Sequence, residues 1–184
     1  MSRRPVDPIT LEVARHRFAA IAAEMGTVLR RTSLSPNIKE RADCSAAVFT
    51  AAGEMLAQAE HIPVHLGSMP ESVAACLGRF DPLPGVQYAV NDPFHGGTHL
   101  NDLTLVAPVF VGGLHVAWVA NRAHHADVGG EAPGSMPAHA TTVEQEGHRV
   151  PPTLAVSEGA WLEDFVGPFV AASRTPWERR GDLD

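Results

Sequence analysis

Basic residues are scarce in this chain: Lys and Arg number 14 against 21 Asp and Glu, a net charge of −7. That balance excludes a nucleic-acid binder, which needs a basic face to track phosphates. The pairs Arg30-Arg31 and Arg179-Arg180 are too short to supply one. Cysteine is scarce too. Cys44 and Cys76 form no CxxC pair and no disulfide framework, so a reduced, cytoplasmic setting is expected. No run approaches the roughly 20 apolar residues that span a bilayer. The opening MSRRPVDPIT has no apolar stretch behind its arginines, so it is not a secretory signal. Also missing are GxxxxGK[ST], GxGxxG after a strand, and the GxSxG elbow, which sets aside the common phosphate-loop, dinucleotide and serine-hydrolase designs. Neither cysteine stands in a motif that would mark a nucleophile, and both read as core residues.

What is present is ordinary in bulk and unusual in one respect. With 184 residues, 45% of them hydrophobic and 19% charged, the chain can form one domain or a piece of a larger one. Ten residues are histidine, and His61, His65, His95, His99, His115, His124, His125 and His139 crowd between positions 61 and 139. Asp7-Pro8 opens a helix with apolar residues at Leu11, Ala14, Phe18, Ile21, Met25 and Val28, a spacing of three or four that ends near Arg31. Ser45–Thr50 and Glu54–Gln58 read as strands about an Ala51-Ala52-Gly53 turn. Ser68 and Glu71 form a capping box for a second helix that stops near Gly78, and Val86–Val90 is a short strand. Residues 129–148 lack periodicity. Gly167-Pro168 interrupts the apolar run Trp161–Val170, and Thr175-Pro176 is a helix-start signal. The fold class is α+β: an amphipathic N-terminal helix with short antiparallel hairpins and loops, part of a larger domain.

The chemistry concentrates between Asn91 and Gly130. Two apolar runs, Leu103–Phe110 and Leu114–Ala120, flank Gly112-Gly113, a strong hairpin signal. A reflection about Gly112 places position 99 opposite 125, which brings two His/Asp clusters to the open end of the hairpin. Strands lie about 4.8 Å apart, so both clusters could hold one metal ion. His99 and Asp102, spaced i, i+3, share a face if the segment turns helically. A histidine from the other limb completes a two-His, one-carboxylate set suited to Mn²⁺, Fe²⁺ or Zn²⁺ with open positions. His124 and His125 compete for that role, since neighbours on a strand point to opposite faces. Asp127, Asp92 and His95 are candidates for orienting a ligand imidazole, and His95, His125 and Asp127 for handling protons. His61 and His65 could join the site or be loop histidines.

Four stretches carry a resemblance: ERADCSAAVFTAAGEMLAQAEHIPVHLGSMPESV, NDPFHGGTHLNDLTLVAPVF, ANRAHHADVGGEAPGSMP and SRTPWERRGDL. In this order they resemble the hydantoinase B/oxoprolinase family over nearly the whole chain. The resemblance implies the B-type subunit of an ATP-dependent hydantoinase or 5-oxoprolinase, hydrolysing a cyclic amide C–N bond. A hydantoinase A-type partner would use ATP and Mg²⁺ to activate the ring carbonyl. Matching the metal motif of the related acetone carboxylase subunits implies His99, Asp102 and His124 as ligands of a manganese-like ion. Lys39, Glu40, Arg41 and Asp43 become candidate substrate-binding neighbours by the same resemblance. Competing readings are a subunit of a ketone carboxylase and a non-catalytic remnant that binds metal or a partner. Family members run to several hundred residues, so residues 1–184 are expected to be one N-terminal portion, completed by further chain and by the A-type partner.

Overall fold

The computed structural model describes residues 6–60 and 65–184. Helix α1 (Pro8–Thr32) begins where the Asp7 carboxylate accepts hydrogen bonds from the N–H groups of Ile9 (3.0 Å) and Thr10 (3.1 Å), with Pro8 at the first helical position. A single turn, α2 (Pro36–Lys39), leads into the hairpin β1 (Cys44–Thr50) and β2 (Met55–Glu60). The alanines of β1 would favour helix by a few tenths of a kcal/mol each. Burial overrides that preference: Ala46 and Ala47 are fully enclosed on a strand that pairs on both edges.

Helix α3 (His65–Leu77) follows, then β3 (Gln87–Val90), a 3-10 turn at Pro93–His95, and the long hairpin β4 (Asp102–Val111) and β5 (Leu114–His124). A loop containing the one-turn helix α4 (Val143–Glu146) leads to β6 (Thr153–Ser157), β7 (Ala160–Trp161), α5 (Glu163–Ala172) and α6 (Pro176–Leu183). The strands form one antiparallel sheet in the order β2-β1-β5-β4-β3-β6-β7. Mixed helix and antiparallel sheet is the expected class, but the hairpins are neither separate nor all short. They join edge to edge, and β4 and β5 have 10 and 11 residues.

Alternation assigns the two faces of the sheet. Ala47, Phe49, Tyr88, Val90, Val106, Trp118 and Ala120 pack beneath Met69, Val73 and Cys76 of α3. Ala89, Leu103 and Ala155 face the other way, against Phe165, Val166 and Phe169 of α5, while Cys44 and Ala123 meet Ile38 and Leu29. The sheet is therefore sandwiched between α3 and a layer holding α1, α5 and α6. Both cysteines are unpaired core residues. Burial pushes the Cys44 thiol up to about 11 and that of Cys76 up to about 12, which leaves neither a thiolate at neutral pH.

Three local features depart from the pattern expected of the sequence. Ser68 is not a helix cap, because α3 already starts at His65 and carries Pro70 within it. The pair Gly167-Pro168 does not break the apolar run; α5 passes through it. The stripe of α1 does not bury itself along its length. Only Ala22 and Gly26 are buried, and Ile9, Leu11, Val13, Ile21 and Val28 remain exposed. No helix among the described residues is long and apolar enough to cross a membrane.

Candidate metal centre

The hairpin register decides which side chains meet. Near the turn, Val111 pairs with Leu114 and Phe110 with His115; beyond it, Val109 pairs with Ala117, leaving Val116 without a partner. That extra residue is a β-bulge. With it, Asp102 stands directly opposite His124, not position 99 opposite 125 as reflection about Gly112 requires. Directly opposed residues share a face, whereas a slip of one residue would turn His124 to the other side.

His99 arrives by a different route. The turn from Gly96 to Asn101 folds back on itself, with the Asp102 amide donating to the His99 carbonyl (2.9 Å). Asp102 Oδ2 accepts from the His99 amide (3.1 Å) and from the Thr98 hydroxyl, and lies 3.1 Å from His99 Nδ1. Its Oδ1 lies 2.7 Å from His124 Nδ1 and 3.5 Å from His65 Nε2. One donor atom each from His99, Asp102 and His124 falls within 4.8 Å of the others. Burial acts to raise the Asp102 carboxyl, but the donors His124, His65, His99 and Thr98 outweigh it and hold it far below the usual carboxylate range. The hydrogen bond with Asp102 raises the His99 imidazole, against the opposite effect of partial burial.

Two nitrogens and one carboxylate oxygen form a donor set of the kind that binds Mn²⁺, Fe²⁺ or Zn²⁺. The anion is buried, while His99 is 47% exposed and His124 16%. Such a set would grip an ion from the protein side and leave solvent-facing positions free. The residues present fit a divalent metal.

Two further groups surround the trio. His65, fully buried at the start of α3, places Nδ1 3.0 Å from Ser45 Oγ and Nε2 toward Asp102. Asp43 approaches His124 Nδ1 (4.0 Å) and His65 Nε2 (3.9 Å), and its carbonyl accepts from the His124 amide (3.0 Å). Of the candidate substrate-binding residues, then, Asp43 adjoins the cluster. Lys39, Glu40 and Arg41 are exposed and have no hydrogen bond or ion pair to it. His61 lies outside the described residues.

The remaining candidates take other places. His95 pairs with Asp92, Nδ1 to Oδ2 at 3.0 Å. His125 points away from His124 into a buried ionic knot, with Nδ1 3.0 Å from the Arg179 guanidinium and 3.7 Å from Asp182; burial lowers its imidazole, partly offset by Asp182. Asp127 orients no ligand imidazole. It clamps the loop after β5, accepting from the amides of Gly129 (2.9 Å), Gly134 (2.9 Å) and Arg174 (3.1 Å) and from the Arg174 side chain (3.0 Å). Burial acts to raise its carboxyl, and these four donors outweigh it. Sequence reasoning gave Arg122 no role, yet it is the largest polar side chain beside the cluster and wholly buried. The available signal was its place two residues before His124, on the same face of the strand.

Comparison with known proteins identifies the family and the fold. The chain is 44% identical over 164 residues to 5-oxoprolinase of Saccharomyces cerevisiae, covering 88% of itself and 13% of that protein. It superposes on the crystal structure of the ATP-dependent caprolactamase of Pseudomonas jessenii with a TM-score of 0.87 and 33% identity, covering 98% of this chain and 31% of the other. Against nucleotide-free acetone carboxylase the TM-score is 0.85 at 20% identity, over 96% of this chain and 24% of the other, a likeness of fold. The chain thus spans a third or less of each of these relatives. The sequence model for hydantoinase B/oxoprolinase matches residues 7–184, and the chain belongs to the hydantoinase B/oxoprolinase family.

Proposed function

We propose that this chain is the metal-bearing N-terminal portion of a B-type subunit that hydrolyses the C–N bond of a cyclic amide. The observation that carries the reading is the convergence of His99, Asp102 and His124 at the open end of the β4–β5 hairpin. Relatives named 5-oxoprolinase and caprolactamase subunit beta support the substrate class. His99 and His124 supply nitrogen donors and Asp102 the charge of the ligand set, and Thr98 with the His99 amide fixes the carboxylate's orientation. Manganese, zinc or iron(II) bound there would supply Lewis acidity toward a carbonyl oxygen or a water. Asp43, within 4.0 Å of His124, is the nearest additional carboxylate and can hold a proton or a substrate N–H at the rim. ATP and Mg²⁺ belong to an A-type partner subunit, consistent with the ATP dependence of the caprolactamase relative. The two free, buried cysteines support a reducing, cytoplasmic setting.

The test begins with metal content of the purified protein beside His99→Ala and Asp102→Ala. We expect near-stoichiometric Mn, Fe or Zn in the wild type and loss in both folded variants. Turnover is then assayed with an A-type partner, MgATP, and 5-oxoproline, hydantoin or caprolactam, with acetone plus bicarbonate as the carboxylase control. Amide opening supports the proposal, and carboxylation would replace it with the ketone-carboxylase reading. A folded wild type that binds no divalent metal would overturn it.

A further inference from the structure

Arg122 is a fully buried cation whose bonded partners are all neutral oxygens. Its Nε donates to Thr104 Oγ1 (2.7 Å), one terminal nitrogen donates to Ser72 Oγ (2.7 Å) and the Gly96 carbonyl (3.2 Å), and the other donates to Ser68 Oγ. Burying a charge without a bonded counter-ion is costly, and an apolar side chain of similar length would fill the space more cheaply. The arrangement makes sense through what the guanidinium joins. Thr104 stands two residues beyond Asp102 on β4, and Arg122 itself stands two before His124 on β5. Ser68 and Ser72 belong to α3, the helix that begins with His65. The Gly96 carbonyl lies three residues before His99. The segments that carry His99, Asp102, His124 and His65 therefore all meet at one planar, rigid fork.

The glycine loop has no slack to find this position otherwise. Gly96 is left-handed, at φ +82°, and a Cβ there would run into the backbone of Ser72. Ser72 also donates to the Gly96 carbonyl (2.7 Å), so helix, loop and guanidinium close a three-way bond.

We propose that Arg122 is the positioning residue of the metal centre, setting the separation between the loop that bears His99 and the strands that bear Asp102 and His124. The inference rests on the metal reading above but can be tested apart from it. Mn²⁺ affinity is measured by chelator competition and by electron paramagnetic resonance for wild type, Arg122→Lys and the milder Ser72→Ala. Imidazole ¹⁵N resonances of His99 and His124 are recorded in the metal-free proteins. Arg122→Lys, with a point charge and no fork, is expected to weaken Mn²⁺ about 10- to 100-fold, the range typical of outer-shell changes at metal sites. Ser72→Ala should weaken it less. Both should shift the two imidazoles while far-UV circular dichroism is retained. Unchanged affinity and unchanged imidazole signals would overturn the proposal and leave Arg122 a role in folding alone. If wild type binds neither Mn²⁺, Fe²⁺ nor Zn²⁺, the metal reading fails, and the imidazole signals of the variants still decide whether Arg122 positions these side chains. If Arg122→Lys does not fold, Ser72→Ala carries the decision by the same two readouts.

Discussion

At the scale of the residue, the molecule keeps two buried carboxylates ionised by different means. Asp102 is held by imidazoles and a hydroxyl. Asp182 of α6 accepts from the amides of Leu34 and Ser35, both at 2.8 Å, and pairs with Arg179 at 3.2 Å. Burial acts to raise the Asp182 carboxyl, but His125, the Ser35 amide and Arg179 outweigh it and hold it at about 2. A carboxylate depressed in the folded state contributes stability above its unfolded value and loses it as pH falls toward the folded one. For Asp182 that window runs from about pH 4 to about pH 2, with a contribution on the order of 2 kcal/mol. His125, lowered by burial, acts at higher pH: the unfolded chain takes up a proton below about pH 6.5 that the folded chain resists, so stability declines there as well. Urea midpoints across pH 7 to 2 should therefore fall in two stages, and Asp182→Asn should make the lower one shallower, leaving the share due to Asp102 and Asp127. An unaltered lower stage in that variant would assign the acid sensitivity to other groups.

At the scale of the element, the β4–β5 hairpin was readable from its turn and its two apolar runs, but its register was not. Glycine pairs announce a turn; nothing in a run of alternating apolar residues says that Val116 will bulge. The register of β5 has to satisfy β1 on one edge and β4 on the other, a demand made by residues distant in sequence. The loop before β4 is constrained by close approach. A Cβ on Gly97 would strike the Asn91 carbonyl, and Asn91 already ties that corner together through the Leu100 carbonyl (2.6 Å) and the Val150 amide (2.6 Å). Gly97→Ala should cost about 1–3 kcal/mol, as overpacking does, and should lower metal occupancy by displacing His99. Urea unfolding and metal analysis of the same preparation check both. Full occupancy at reduced stability would show that the loop relaxes without moving the ligand.

At the scale of the whole molecule, α1 is the exception to the packed architecture. It packs on β1 and β2 with only Ala22 and Gly26 buried, while Ile9 and Val13 are 76% and 48% exposed. Contiguous exposed apolar side chains mark a surface that another surface covers. The chain on its own should self-associate through this face. Ile9→Glu combined with Val13→Glu should reduce the weight-average mass in sedimentation equilibrium and leave far-UV circular dichroism unchanged. Association that persists in the double variant would move the sticky surface elsewhere.

The amino-acid sequence by itself determined the elements whose signals are local. These are the Asp7-Pro8 helix start, the Gly112-Gly113 turn, the Thr175-Pro176 start of α6, and the His-x-x-Asp spacing that keeps His99 and Asp102 together. Each depends on atoms within one or two turns of chain. The tertiary structure alone decided that Asp102 faces His124, that His65 and Asp43 join them, that His125 turns toward Arg179, and that Arg122 lies under the cluster. Those outcomes depend on a bulge, on which strands become neighbours, and on a helix laid across the sheet. Long-range packing fixes all three, and a linear pattern carries no record of it.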